Sequence, residues 1–175
     1  MNGKRITHET LTERLDLLKS NPVEYLRLAN EVVRQHPRDP NAYFSRHHAW
    51  TELGKPELAL ADLDRSLELE RHGVTYAARG LLLHGLGRFR EAIDDFNASQ
   101  AMDEGDWMGC FGHLYRADCY ARLGEVERAL ADCAMLREDH WTPGPFGLPK
   151  GSKSDVIAQI KYIAAVARQQ NSKQN

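Results

Sequence analysis

The chain has 175 residues, enough for one compact domain with a real hydrophobic core. Its 23 lysines and arginines nearly balance 25 aspartates and glutamates, and a net charge of −2 gives no electrostatic footprint for nucleic acid. No basic amphipathic stretch suggests a membrane surface, and the longest apolar run, Gly80-Leu81-Leu82-Leu83, is far too short to span a bilayer.

Met1 to Glu9 contains no apolar core, so no secretory signal is expected there. Thr10-Leu11-Thr12-Glu13 reads as a capping box opening a helix that reaches about Lys19. Asn21-Pro22-Val23-Glu24 is a second start signal, with an Asn cap and a proline in the first turn. That helix should run to about Gln35 and stop before Pro37.

Beyond Pro40 the sequence repeats itself. Trp50–Leu63, Leu83–Phe96 and Tyr120–Cys133 share four landmarks: Leu-Gly, then Ala five residues after the Gly, then Asp three later. The glycines Gly54, Gly87 and Gly124 are 33 and 37 residues apart, a period that belongs to helix-pair solenoids. Leu-Gly ends a first helix, because glycine takes the left-handed conformation at a C-terminus without steric cost. A second helix follows at once, and Pro56 suits its first turn. Ala59, Ala92 and Ala129 sit where the two helices cross closely. Arg46, Arg79 and Arg116, with Asp62, Asp95 and Asp132, also recur in every unit. A set copied that regularly is expected to be a structural ladder in which guanidinium groups bridge carboxylates or carbonyls.

These segments resemble tetratricopeptide repeats, whose 34-residue unit is a helix–turn–helix. The resemblance covers Pro40 to Arg137, in units 40–72, 73–105 and 106–137. The family's first-helix aromatic appears as Tyr43 and Tyr76, with His113 as a departure. Its small residue four positions on is Gly80 and Ala117, but His47 in the first unit, which implies a looser or adapted helix pair there. The second-helix aromatic is Phe96, with Leu63 and Cys133 as smaller substitutes. Pro37 falls at the family's terminal proline, so residues 1–39 read as a degenerate N-terminal helix pair acting as a cap.

The resemblance implies a concave groove lined by the first helix of each pair, where the family binds peptides. Carried over, its lining is Asn41, Phe44, His48 and Glu52, then Val74, Ala77, Leu81 and His84, then Phe111, Leu114, Asp118 and Arg122. This mostly apolar strip suits an apolar segment of a partner protein. One subclass grips the C-terminal carboxylate of heat-shock proteins through lysines, asparagines and an arginine. Phe44, His48, Ala78, Phe111 and Tyr115 occupy those places here, so no chaperone carboxylate clamp is expected.

The C-terminal part has another character. Residues 138–151, with three prolines and three glycines, cannot be helical and read as a linker without secondary structure. Its His140, Trp141 and Phe146 either pack onto the last repeat or touch a partner. Ser152-Lys153-Ser154-Asp155 starts a helix whose stripe of Val156, Ile157, Ile160, Ile163, Ala164 and Val166 should cover the last repeat, within a capping helix and tail over 152–175. The enlargement around Asp103–Gly109 has Trp107 to fill a wider gap between repeats.

Cysteine, histidine and glycine positions bear on chemistry. Cys110, Cys119 and Cys133 are odd in number and define no disulfide framework, which fits free thiols in a reducing cytoplasm. Cys110-x-x-His113 with Cys119, and His47-His48, contain metal-ligand types. A structural zinc site wants four ligands at closed spacing, however, and Cys119 and Cys133 fall at core-facing helical positions. Gly85-Leu86-Gly87 is a helix terminus rather than a phosphate loop. No nucleophile has an evident orienting partner, so no enzyme, metal or cofactor is expected.

The expected molecule is therefore all-α: a right-handed α-solenoid of antiparallel helix pairs with three clear units, a degenerate N-terminal pair and a C-terminal capping helix. Its expected role is a cytoplasmic, non-catalytic adaptor that binds another protein in the groove, with no nucleic-acid or membrane partner. The alternatives are a self-associating structural protein, such as a homodimer, and, further off, an RNA-binding helical repeat or a metal-binding protein.

Overall fold

A computed structural model describes residues 15–102, 111–139, 141–142 and 148–173. Nine helices and one two-residue strand pair occur among these residues. The chain divides into two compact units, Met1–Tyr76 and Ala77–Asn175, with the boundary inside one helix. The capping box at Thr10, the Asp103–Gly109 enlargement with Trp107, Cys110, His140 and Phe146 lie outside the described residues.

In the first unit, α1 (Leu15–Ser20), α2 (Pro22–Gln35), α3 (Pro40–Glu52) and α4 (Pro56–Leu69) pack each against the next. The Asn21 side chain accepts a hydrogen bond from the Glu24 amide and Pro22 takes the first turn, the start expected for α2. Asp39 caps α3 in the same way by accepting from the Asn41 amide. Tyr25, Leu28, Ala29 and Val32 of α2 form one core cluster with Leu18, Ala42 and Ala49.

Between α3 and α4 the chain reverses at Gly54, whose φ of +64° is the left-handed conformation that spares a glycine any Cβ clash. The amide of Lys55 reaches back to the Trp50 carbonyl and that of Gly54 to Thr51, so two otherwise unpaired helix-end carbonyls are satisfied. The same pair of bonds recurs at Gly87 and Gly124. A turn this short makes the two helices of each pair antiparallel. Ala59 of α4 is wholly buried at the crossing, as are Ala92 and Ala129 in the later pairs.

His47 stands where the later repeats have Gly80 and Ala117. Its pair is adapted rather than loosened. The ring is buried, Nδ1 donates to the Phe44 carbonyl, and Leu63 replaces the bulkier Phe96 of the next repeat. At Gly80 the reverse holds, because a Cβ there would lie 2.8 Å from the Phe96 ring.

The helix α5 (Gly73–Gly85) begins in the first unit and continues into the second, which also holds α6 (Phe89–Met102), α7 (Phe111–Arg122) and α8 (Val126–Ala134). The segment expected to be free of secondary structure is pinned at both ends. Strand β1 (Trp141–Thr142) pairs antiparallel with β2 (Gly151–Ser152), Trp141 opposite Ser152 and Thr142 opposite Gly151. Then α9 (Lys153–Ser172) opens with a full capping box between Ser152 and Asp155. It buries Val156, Ile160, Ala164 and Ala167 against α7 and α8, while Ile157, Ile163 and Val166 are only half-buried. Two cations fasten it. Lys153 Nζ donates to the Leu136 carbonyl at 2.7 Å, and Arg168 Nε donates to the Gly124 carbonyl at 2.8 Å.

The arginine–aspartate ladder is present in all three repeats. Nε and Nη2 of Arg46 donate to Asp62 at 2.8 and 2.6 Å, of Arg79 to Asp95 at 2.8 and 2.7 Å, and of Arg116 to Asp132 at 2.8 and 2.6 Å. Each fork ties the two helices of one repeat. The remaining nitrogen reaches the preceding helix: Arg46 Nη1 donates to Asn30, and Arg116 Nη1 to Asn97 and Gln100.

Candidate partner-binding site

The residues expected to meet a partner come from the first helix of each pair. In α3, Asn41 and Glu52 are exposed, while Phe44 and His48 are half-buried. Phe44, His47 and His48 form an aromatic group, with ring centroids 4.7 Å apart for Phe44–His47, 5.3 Å for Phe44–His48 and 3.9 Å for the two histidines. Burial, reinforced by the neighbouring His48, pushes His47 down to about 3. His48 is lowered by burial too, against the opposing pull of Glu52. Both rings are therefore neutral at ordinary pH, His47 buried and His48 half-buried beside Phe44. Val74, at the start of α5, is 64% exposed.

In the second unit the expected residues separate into two groups. Phe111 is 40% exposed, Leu81 is half-buried and Arg122 is at the surface. Ala77, His84, Leu114 and Asp118 are buried instead. Their side chains belong to the packing behind the surface, so they do not line it.

Two of those buried groups make an arrangement that repeat spacing alone did not reveal. His84 Nε2 donates to Asp118 Oδ2 at 2.7 Å, across 34 residues, and Arg122 Nε donates to the same oxygen at 2.6 Å from one turn further along α7. The Arg122 guanidinium also lies over the Phe89 ring, 5.5 Å from its centre. His84 meets Phe89 and Tyr115 edge-on at 5.8 and 5.3 Å. Asp118 is wholly buried, and among the described residues no donor reaches its Oδ1. The signal was available in the sequence: His84 and Asp118 stand about one repeat apart, with Arg122 four residues after Asp118.

The remaining chemistry is quiet. Burial pushes the Cys133 thiol up to about 11 and raises Cys119 as well, with Asp118 adding to the effect at Cys119. Neither is a reactive thiolate at neutral pH. His113, the departure from the repeat aromatic, is buried and donates from Nδ1 to Asp132, the ladder carboxylate of its own repeat. Among the described residues no cluster of three His, Cys, Asp or Glu side chains is placed to hold a metal, and no helix is long and apolar enough to cross a membrane.

Solved structures share this arrangement of helices. YrrB, described as a tetratricopeptide-repeat protein with an unusual peptide-binding site, superposes with a TM-score of 0.65 over 93% of this chain and 77% of its own, at 17% identity. The fold is a tetratricopeptide-repeat fold. TTC0263 of Thermus thermophilus, also a tetratricopeptide-repeat protein, aligns over 93% of this chain and 79% of its own with a TM-score of 0.59 and 20% identity. A double mutant of MamA from RS-1 matches 100% of this chain and 99% of its own, with a TM-score of 0.68 and 16% identity. No family model matches the sequence, and no curated protein matches it. Identities this low carry the tetratricopeptide-repeat architecture and nothing about the ligand.

Proposed function

We propose that this chain is a non-catalytic interaction adaptor that binds an apolar segment of another protein through the exposed faces of its first-of-pair helices, in a reducing cytoplasm. The observation that carries the reading is the exposure of Val74 and Phe111. They stand 37 residues apart, the spacing of the turn glycines Gly87 and Gly124, and so hold the same position in successive repeats. Large apolar side chains left in water at a repeated position are costly unless something covers them, and partner contact is the usual reason. Half-buried Leu81 on α5 extends the apolar character in the second unit, and in the first unit half-buried Phe44 of α3 is flanked by exposed Asn41 and Glu52. The peptide-binding site named for YrrB supports the same kind of role.

The test is selection of short random peptides on the wild-type chain, followed by binding to a Val74→Asp/Phe111→Asp variant. Both positions are exposed, so the variant should keep its helical circular dichroism. Peptides rich in apolar residues are expected, with affinity falling about tenfold or more on the variant, the size of one lost anchor. Equal binding to both proteins would overturn the reading. A wild-type dimer in sedimentation that the same two substitutions dissolve would assign the surface to a second copy instead.

A further inference from the structure

Helix α9 turns one face inward, where Val156, Ile160, Ala164 and Ala167 are buried. The opposite face of a surface helix is ordinarily polar, yet Tyr162 lies there 73% exposed. Among the described residues it makes no hydrogen bond and no ring contact. At about 100° per residue, Asp155, Tyr162, Val166 and Lys173 fall within about 40° of one another, on the side away from the buried residues. Asp155 and Lys173 are exposed and Val166 is half-buried. Asp155 Oδ2 accepts from both the amide and the hydroxyl of Ser152, which leaves Oδ1 open. No acceptor meets Lys173 Nζ among the described residues.

We propose that this face of α9 pairs with the same face of a second copy of the chain, the two helices running antiparallel. The stripe is a palindrome. From either end a charged residue is followed seven positions inward by an apolar one, Asp155 by Tyr162 and Lys173 by Val166. A two-fold axis beside Ala164 sets Asp155 against the second copy's Lys173 and Tyr162 against its Val166, and each contact is made twice. The end charges are opposite, so antiparallel pairing joins unlike charges. Parallel pairing would set aspartate on aspartate and lysine on lysine. Lys161, the cation nearest the middle of the helix, points about 120° away from the stripe and does not meet its own copy. A different protein would need no such symmetry, and the self-complementary order is what singles out a second copy. One helix face covers less than the roughly 800 Å² per partner of a standard interface, so the dimer is a weak one. The inference stands apart from the adaptor reading, because neither Val74 nor Phe111 takes part.

The experiment is sedimentation velocity of the full chain over about 5–500 μM, the range in which a weak dimer assembles. The weight-average sedimentation coefficient should rise with concentration. Tyr162→Asp should weaken the association about tenfold or more with helical circular dichroism unchanged, and Val74→Asp/Phe111→Asp should leave it intact. Asp155→Lys and Lys173→Glu should each be monomeric alone, because each sets like charges together at both ends of the pair. Mixed in equal amounts they should dimerise, since the new lysine then faces the new glutamate and the untouched Lys173 faces the untouched Asp155. Asp155→Lys also removes half of the capping box, so Lys173→Glu and Tyr162→Asp, both at exposed positions, carry the test if that variant loses helicity. A wild type that stays monomeric throughout would overturn the inference. So would a dimer that Tyr162→Asp leaves intact, or a mixture of folded charge variants that associates no better than either alone.

Discussion

His47 shows what one residue does when it takes a place usually given to glycine or alanine. Its imidazole is held neutral by burial, with a value near 3 against about 6.5 in the unfolded chain. A histidine lowered on folding contributes stability that is complete above pH 6.5 and is lost as pH falls towards 3. Urea unfolding should therefore show stability dropping by about 1.4 kcal/mol per pH unit below 6.5, with His48 adding in the same direction. His47→Ala should flatten that slope, and an unchanged slope would mean that His47 is not the group responsible. Gly80 makes the converse case, because the 2.8 Å approach of Phe96 leaves no room for a methyl group. Gly80→Ala should cost about 1–3 kcal/mol. Adding Phe96→Leu should recover part of it, since the first repeat manages with Leu63 at that position. A ladder arginine is dearer still. Arg116→Met leaves the buried Asp132 with His113 as its donor among the described residues, and should cost about 3 kcal/mol in chemical denaturation.

At the scale of elements, turns and caps decide where helices begin and stop, and α9 depends on one of those turns. Gly54 and Gly124 both have positive φ, but a Cβ at Gly54 meets nothing, whereas at Gly124 it would lie 3.1 Å from Arg168 Cγ. Gly54→Ala should cost about 1 kcal/mol through backbone strain alone. Gly124→Ala should cost more and also raise amide exchange in α9, because Arg168 is one of the two cations that fasten that helix. Equal effects would show that α9 is held by its apolar face only. These elements were largely legible in the sequence. The Asn21 cap and Pro22 fixed the start of α2, and Pro37 its end, because both act through a neighbouring backbone group. The three Leu-Gly turns were legible for the same reason. The β1–β2 pair was not, since two residues per strand leave no periodicity to read.

At the scale of the whole molecule, what local pattern left open was burial. Position within a repeat marks which residues of a first helix share a face, and of the residues it picks out Val74 and Phe111 are exposed. It could not show that Ala77, His84, Leu114 and Asp118 are covered, because covering depends on the neighbouring helices and not on spacing within one. The His84–Asp118–Arg122 group follows from that same packing. With a net charge of −2, the chain should give no salt-dependent mobility shift with RNA, and a shift that weakens as salt rises would reopen nucleic-acid binding.

Binding of a partner segment by the exposed first-helix faces is best checked by nuclear magnetic resonance mapping of a selected peptide on the isotope-labelled chain. Shifts should concentrate at Phe44, Val74, Leu81, Phe111 and Arg122, with Leu58 on α4 and Tyr162 on α9 unmoved. Shifts centred on Leu58 or Tyr162, with Val74 and Phe111 silent, would contradict it.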